Sequence, residues 1–439
     1  MPVTFLRKSV LAANARCMSS PHVARAKPLS VALLALLAFG PPRAGAGEAP
    51  PDAWIDPETG HQVIRLSRRE GDNYDFYFHQ NPFTADGDKM AFIGSTPNGR
   101  SVFTVNIRAL GAGPLESRPI TTGRSIGHEI VAPKCRQLFY LSGQTVYATH
   151  LDTLETREIT TVPAHYTYGR GLSVNADETK LLGCYAKGEQ EFYKLPRKEW
   201  IVKIFEAKLP NALYTIDIGT GKINEFHQEN AWLGHAQFSP ADPEQVMFCH
   251  EGPGRQLHRV WLVRTDGTGL RKINERTEKM DYVTHEFWDP DGKHVWFDLQ
   301  WPRFLYQGRK RTVLGYAMGP DYFLGCADIQ TGKTTAYPLE SHQWSWHYNI
   351  SADGKLLCGD GGYDYKLGAE SGKWIYLFTP KGSQIEARPL CSMAKHKKPL
   401  EPNVHFTPDA EWVVFQSNMH GRPQVYAVRV QPHESAASP

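Results

Sequence analysis

Seven equivalent positions recur along this chain, and six of them carry side chains able to bind a metal ion or move a proton: Gln80, His128, His235, His285, His347 and Asn403. Gly171 is the exception. Each stands six residues before a turn aspartate or its counterpart, namely Asp86, Lys134, Asp177, Ala241, Asp291, Asp353 and Asp409. Imidazole takes up protons near neutral pH and also ligates divalent metals, so four histidines in register suit general base catalysis, metal binding, or both. A polar, water-lined channel mouth would explain any single one of them. For four in register that explanation weakens, because apolar, serine or threonine side chains would fill a purely structural rim equally well.

The register comes from a repeat of about fifty residues. A strand, a turn of the S-P-D-G type and a second strand occur in FHQNPFTADGDKMAFIG, GHEIVAPKCRQLFYLSG, RGLSVNADETKLLGC, GHAQFSPADPEQVMFC, THEFWDPDGKHVWFD, WHYNISADGKLLCGD and NVHFTPDAEWVVFQS. A third apolar strand and a turn into a fourth follow in most copies, as in LYTIDIGTGKINEF and LGCADIQTGKTTAYPL. Asp-Gly and Thr-Gly suit the tips because glycine accepts positive φ. Seven repeats of four antiparallel strands predict an all-β, seven-bladed β-propeller, whose first strands line a central channel. A multi-sheet sandwich leaves the fixed order within each repeat unexplained. The seventh copy ends at VYAVRV without a fourth strand, and DPETGHQVIRLS near the start of the chain is left over. That N-terminal segment is expected to close the last blade and so remove two exposed sheet edges.

In the hairpin Trp232 to Pro253, WLGHAQFSPADPEQVMFCHEGP, the first strand begins and the second ends at one edge, so His235 and His250 are expected on the same side of the molecule. The loops between second and third strands open on that side too. They are long at Lys187 to Pro210, His250 to Arg259 and Trp301 to Tyr322, and carry Lys194, Arg197, Lys198, Lys203, Arg255, Arg259, Arg303, Arg309, Lys310 and Arg311. Positive charge above the ring would draw in an anionic ligand. Tyr193, Trp200, Phe304, Tyr306 and Tyr322 offer faces for sugar rings.

The rest of the chain narrows the choice. Residues 1–46 read as a secretory signal: basic residues from Arg7 to Lys27, an apolar run from Leu29 to Phe39, and cleavage expected after Ala46, with Met18 an alternative start and an uncleaved anchor the competing account. The propeller is then expected over 47–432 and a short tail over 433–439, in a periplasmic or secreted protein that leaves the membrane on cleavage. A net charge of +3 gives no electrostatic argument for nucleic acid as a partner. No G-x-S-x-G elbow is present, which excludes a propeller-capped serine hydrolase. Cys184, Cys249 and Cys358 fall inside apolar strands, as small buried hydrophobes do.

ENAWLGH, MFCHEGP, the DGTGLRKI turn, VTHEFWDPDG and FTPDAEWVVFQSN resemble the oligogalacturonate lyases, seven-bladed propeller enzymes, from about Trp54 to Val430. The resemblance implies a β-elimination: a base removes the C5 proton of a uronate, and the glycosidic oxygen leaves from C4. Such chemistry needs a neutralised carboxylate and a base of near-neutral pKa. By resemblance His235 is the base and His285 a metal ligand. Where family members carry His-Pro-His, this chain has Glu401-Pro402-Asn403. Glu401 and Asn403 share a strand face and are expected to converge with His285 on one ion, with His396 a further ligand. Oxygen donors favour Mn²⁺, then Mg²⁺ or Ca²⁺, over zinc.

The family's third-strand arginine falls on Ala212 or Thr215, which leaves Arg170 and Arg259 to meet the substrate carboxylate. His128, His250 and His347 complete the substrate-side candidates, and His128, His347, a tyrosine or water could protonate the leaving oxygen. The substrate implied is an anionic uronate oligosaccharide, oligogalacturonate by default or another uronate linkage. A non-catalytic binding propeller and a metal-dependent hydrolase or isomerase are the competing classes. Which uronate is cut and the oligomeric state are not fixed at this level.

Overall fold

The middle strands of the repeats, such as MAFIG, LFYLS, VMFCH and WVVFQS, are apolar almost without interruption, as strands covered on both faces are. The computed structural model describes residues 51–432 apart from 109, 112, 114, 169–170, 254–256, 275–280, 303, 308–309, 314–320 and 363–371. The expected signal (1–46), the tail (433–439), Arg170 and the basic residues Arg255, Arg303 and Arg309 lie outside the described residues. Within them, seven antiparallel sheets follow one another as blades, each in the strand order of the repeat. No helix among the described residues is long and apolar enough to cross a membrane.

Seven hydrophobic clusters sit between neighbouring blades rather than inside them. Phe92 and Val105 of blade one, for example, meet Val414 and Val425 of blade seven. The corresponding cluster of blades six and seven unites Ile375 and Leu377 with Val413 and Phe415. Each middle strand is therefore buried on both sides, and burial of this apolar surface is the main force closing the ring.

The N-terminal segment does close the last blade. Val63, Ile64 and Arg65 pair with Val428, Ala427 and Tyr426. A further strand, Ala53–Ile55, pairs outside it, so this blade has five strands instead of the expected four.

The ring positions owe their direction to local backbone irregularity. In blades two, four and five the first strand slips register between Gly127 and Ile130, Gly234 and Gln237, and Thr284 and Phe287. Inside each slip sits the ring histidine, with φ of 57° at His128, 47° at His235 and 51° at His285. Asn403 has the same left-handed backbone at 46°, as does Gly171 at 59°. A bulge turns one side chain away from the strand's alternation, here toward the axis. Glycine serves in blade three because a Cβ on Gly171 would lie 2.7 Å from Nε2 of Gln80, the ring residue of blade one.

On the opposite edge, Arg136 ties blade one to blade two. Its guanidinium contacts Asp86 at 2.7 Å, Asp88 at 2.8 Å and Asp152 at 2.6 Å. Hydrogen bonds from Arg136 hold the Asp88 and Asp152 carboxyls well below the usual carboxylate range. A depressed carboxylate contributes stability that is present above its unfolded value of 3.8 and is lost as pH falls below it. Arg136→Met should therefore lower stability at pH 7 by about 1–3 kcal/mol and flatten the acid limb of the stability profile below pH ~4. Denaturant titrations of both proteins at pH 7 and pH 3 check this.

The expected burial of the strand cysteines holds. Cys184, Cys249 and Cys358 are buried.

Candidate active site

The bulged strands bring their side chains to a cavity of about 740 Å³ at one end of the central channel. His128, His235, His285, Gln80, Glu401 and Asn403 line it, with Trp200 and Ile201 above. The long loop of blade three supplies that cover. Its helix, Arg197–Ala207, begins after Pro196 and packs Ile204 and Phe205 beside Trp232. The ring and the long loops of blades three and four thus share one face, as expected.

His235 lies between two carboxylates. Nδ1 is 3.4 Å from Oε1 of Glu286, and Nε2 is 3.3 Å from Oε1 of Glu251. Both glutamates are fixed by Arg259, whose Nε lies 2.7 Å from Glu286 and whose Nη1 lies 3.2 Å from Glu251. The close approach of Glu251 depends on Gly234 of the WLGH stretch, since a Cβ there would come within 2.8 Å of the Glu251 Cγ.

Burial would lower the pKa of Arg259, but Cys249, Glu251 and Glu286 outweigh it and raise that pKa well above the usual value. Glu286 is wholly buried and Arg259 nearly so. Removing one member of such a set strands the other charges. Arg259→Met should cost roughly 3–5 kcal/mol of folding stability, read as a lower denaturation midpoint.

His285 and His347 share a second arrangement. Nδ1 of His347 is 2.6 Å from Asp360, and Nδ1 of His285 lies 2.9 Å from the Thr284 hydroxyl and 3.4 Å from Asp298. Thr284 itself donates to Asp298. Both carboxylates are buried. Imidazoles held at one nitrogen by a buried carboxylate present the other to a metal, a pairing typical of metal-ligating histidines.

The two rings stand 4.8 Å apart, and Nε2 of His347 is 3.9 Å from Oε2 of Glu401. Nε2 of His347 and Oδ1 of Asn403 are both buried without a hydrogen-bond partner. Two orphaned polar atoms beside a carboxylate and a second imidazole fit a divalent cation, and His285, His347, Glu401 and Asn403 are the residues that could hold one. Burial opposes charge on His347, but Asp360 prevails and raises its pKa.

Several expectations need revision. His396 does not join the donor set: Ser417 holds its Nδ1 at 2.9 Å, and its Nε2 donates to the Leu400 carbonyl at 2.8 Å. His250 sits at the expected edge, opposite Leu233, but turns outward to Glu229 at 2.8 Å and stacks against Trp261. It does not line the cavity. Glu229 also accepts from His227, and these two bonds outweigh burial to bring its pKa down to about 2.

His347 is buried behind the cavity wall, so it suits the metal set rather than direct substrate contact. Arg259 reaches the cavity, but its charge is already met by two carboxylates. His128 lines the cavity, with Nε2 donating to the Thr167 carbonyl at 3.2 Å and burial lowering its pKa.

The anticipated positive field is also absent from the described lining. Asp75, Glu129, Glu251 and Glu401 face only Arg100 and Arg259 there. Lys194 and Lys203 pair with Glu191 and Glu206 of their own loop.

Sequence reasoning passed over Tyr77, His79, Arg100, Glu129, Glu251 and Glu286. His79 lies one residue before the ring position and its ring is 5.4 Å from that of His235. Burial, and then the charge of His235, push its pKa well down. A signal for two of the glutamates was present, since GHEI and THEF repeat a His-Glu pair at the ring.

Imidazoles backed by buried carboxylates around an axial cavity place this propeller among enzymes rather than scaffolds. Comparison with known proteins narrows the class. The family model for oligogalacturonate lyase matches residues 51–434. The oligogalacturonate lyase of Dickeya dadantii (strain 3937) is 28% identical over 401 residues, covering 85% of this chain and 95% of that protein. A solved oligogalacturonate lyase in complex with manganese is 29% identical, with a TM-score of 0.70 over 87% of this chain and 96% of that one. The oligogalacturonate lyase structure from Vibrio parahaemolyticus is 26% identical, with a TM-score of 0.72 over 86% and 96%. The chain belongs to the oligogalacturonate lyase family.

Proposed function

We propose that the protein is a metal-assisted polysaccharide lyase that cleaves short uronate oligosaccharides, oligogalacturonate first among them, by β-elimination. One observation carries the reading: an imidazole held between two carboxylates, His235, opens on the same cavity as a donor set with two unpartnered buried atoms. His285, His347, Glu401 and Asn403 would hold a divalent cation, Mn²⁺ by the mixed nitrogen and oxygen character of the set and by the manganese found in the related structure. When bound, that cation neutralises the uronate carboxylate and makes the C5 proton acidic.

His235 then takes the C5 proton. The C5–H electron pair becomes the C4=C5 double bond, and the C4–O pair leaves with the glycosidic oxygen, which takes up a proton from water. Glu251 and Glu286 stabilise the imidazolium that forms, while Arg259 keeps both in place. The lining sets four carboxylates against two arginines, an excess of negative charge that would repel an anionic sugar, which supports a cation as part of the site. Export through residues 1–46 would place the reaction in the periplasm or outside the cell. Purified protein with digalacturonate should produce the ultraviolet absorbance of a 4,5-unsaturated uronate in Mn²⁺. No absorbance with any uronate disaccharide overturns the reading.

A further inference from the structure

The arrangement that holds His235 occurs twice. In blades four and five, Arg259 stands at the start of a third strand and binds Glu286, which follows the ring histidine of the next blade. In blades one and two, Arg100 stands at the start of the third strand Gly99–Asn106 and binds Glu129, which follows His128. The Arg100 to Glu129 distance is 2.6 Å, against 2.7 Å in the other pair. Both glutamates are buried and both arginines line the cavity.

The copies differ in one respect. Arg259 has a second carboxylate, Glu251, and only 6% of its side chain is exposed. At the position of Glu251, just past the end of the second strand's pairing with the arginine, blade one has Thr96. Arg100 keeps one carboxylate and 52% of its side chain exposed. Glu129 is equally incomplete, because its Oε2 is buried without a hydrogen-bond partner. The pair therefore sets partly exposed guanidinium donors at the same cavity, with an unpartnered carboxylate oxygen buried beside them.

We propose that Arg100 and Glu129 form a second uronate subsite. Arg100 binds the carboxylate of the sugar that is not deprotonated, in the place Glu251 takes on Arg259, while Oε2 of Glu129 accepts a hydroxyl of that sugar. This rests on the lyase reading and extends it by assigning the two residues that meet the second sugar. Guanidinium pairs with carboxylate through two parallel N–H bonds, which a lysine ammonium does not reproduce. Arg100→Lys thus retains only part of the effect.

The test compares digalacturonate with a disaccharide whose second, undeprotonated sugar is neutral. Binding is measured by calorimetry with Mn²⁺ present, and turnover by ultraviolet absorbance. Wild type should prefer the doubly acidic substrate by roughly ten- to a hundredfold, the scale of a charged hydrogen-bonded contact. Arg100→Ala should erase that preference through affinity and KM, with kcat on digalacturonate changed less than about threefold and a lower melting temperature, because the buried Glu129 loses its ion-pair partner. Glu129→Gln should weaken both sugars alike, since it acts through a hydroxyl. An unchanged preference in Arg100→Ala, or equal binding of both sugars by wild type, overturns the subsite. Tight, Arg100-dependent binding without any absorbance change instead overturns the elimination reading and leaves the subsite standing.

Discussion

His235→Ala should reduce elimination from digalacturonate by about 10²–10⁴-fold, the usual share of a positioned general base. The loss should appear in kcat, because the metal set and the Arg100 pair would still bind substrate. The fold should survive. The ring sits in a bulge at the cavity, where it packs against Tyr77 and His79 rather than in a core between blades, and Arg259 continues to hold Glu251 and Glu286 together after the imidazole is gone. His235→Gln sharpens the test, since it keeps a polar side chain of similar reach with no basic nitrogen. Initial rates in Mn²⁺ with matched melting curves decide it. Activity within tenfold of wild type in either variant would remove His235 as the base.

Chelation should abolish activity, with recovery on adding Mn²⁺ alone. Two buried lone pairs at His347 and Asn403 lose their partner when the ion leaves, so chelation should also lower the melting temperature. Saturating metal at about a hundred times its dissociation constant stabilises a folded protein by ~2.7 kcal/mol. Asp360→Asn leaves a side chain of the same shape on His347 but removes the buried charge that orients it, and should weaken Mn²⁺ affinity roughly 10–100-fold. Glu401→Gln should weaken it as well, with little change in folding, because that side chain is one-third exposed. Full activity in chelator would refute metal assistance. An unchanged Mn²⁺ titration in Glu401→Gln would remove Glu401 from the donor set while leaving the other three ligands in question only through their own variants.

His396 and His250 show where spacing misleads. Both sit near the site along the chain, and His396 stands only five residues before Glu401. A residue's position follows from strand period and loop length. Its free lone pairs depend on which neighbour reaches it first. Ser417 and Leu400 occupy both nitrogens of His396, and Glu229 captures His250. His347 illustrates the converse, since its ring position was legible but its role changed once Asp360 and Glu401 were seen on either side of it.

The blade count, the closure by the N-terminal segment and the level of the ring all follow from local signals: a fifty-residue repeat, apolar middle strands, and glycine or aspartate at most tips. Those signals act within one repeat, where period and turn chemistry dictate the backbone. The environment of each ring residue does not arise there. Glu286 meets Arg259 across a blade boundary, Glu129 meets Arg100 across another, and His347 meets Glu401 across a third. Such pairs form because apolar packing between blades brings strands from separate repeats to one axis, and charged groups brought out of water there must find partners. Closure of the ring, not strand periodicity, set which carboxylate faces which imidazole, and with it which nitrogen is left for chemistry.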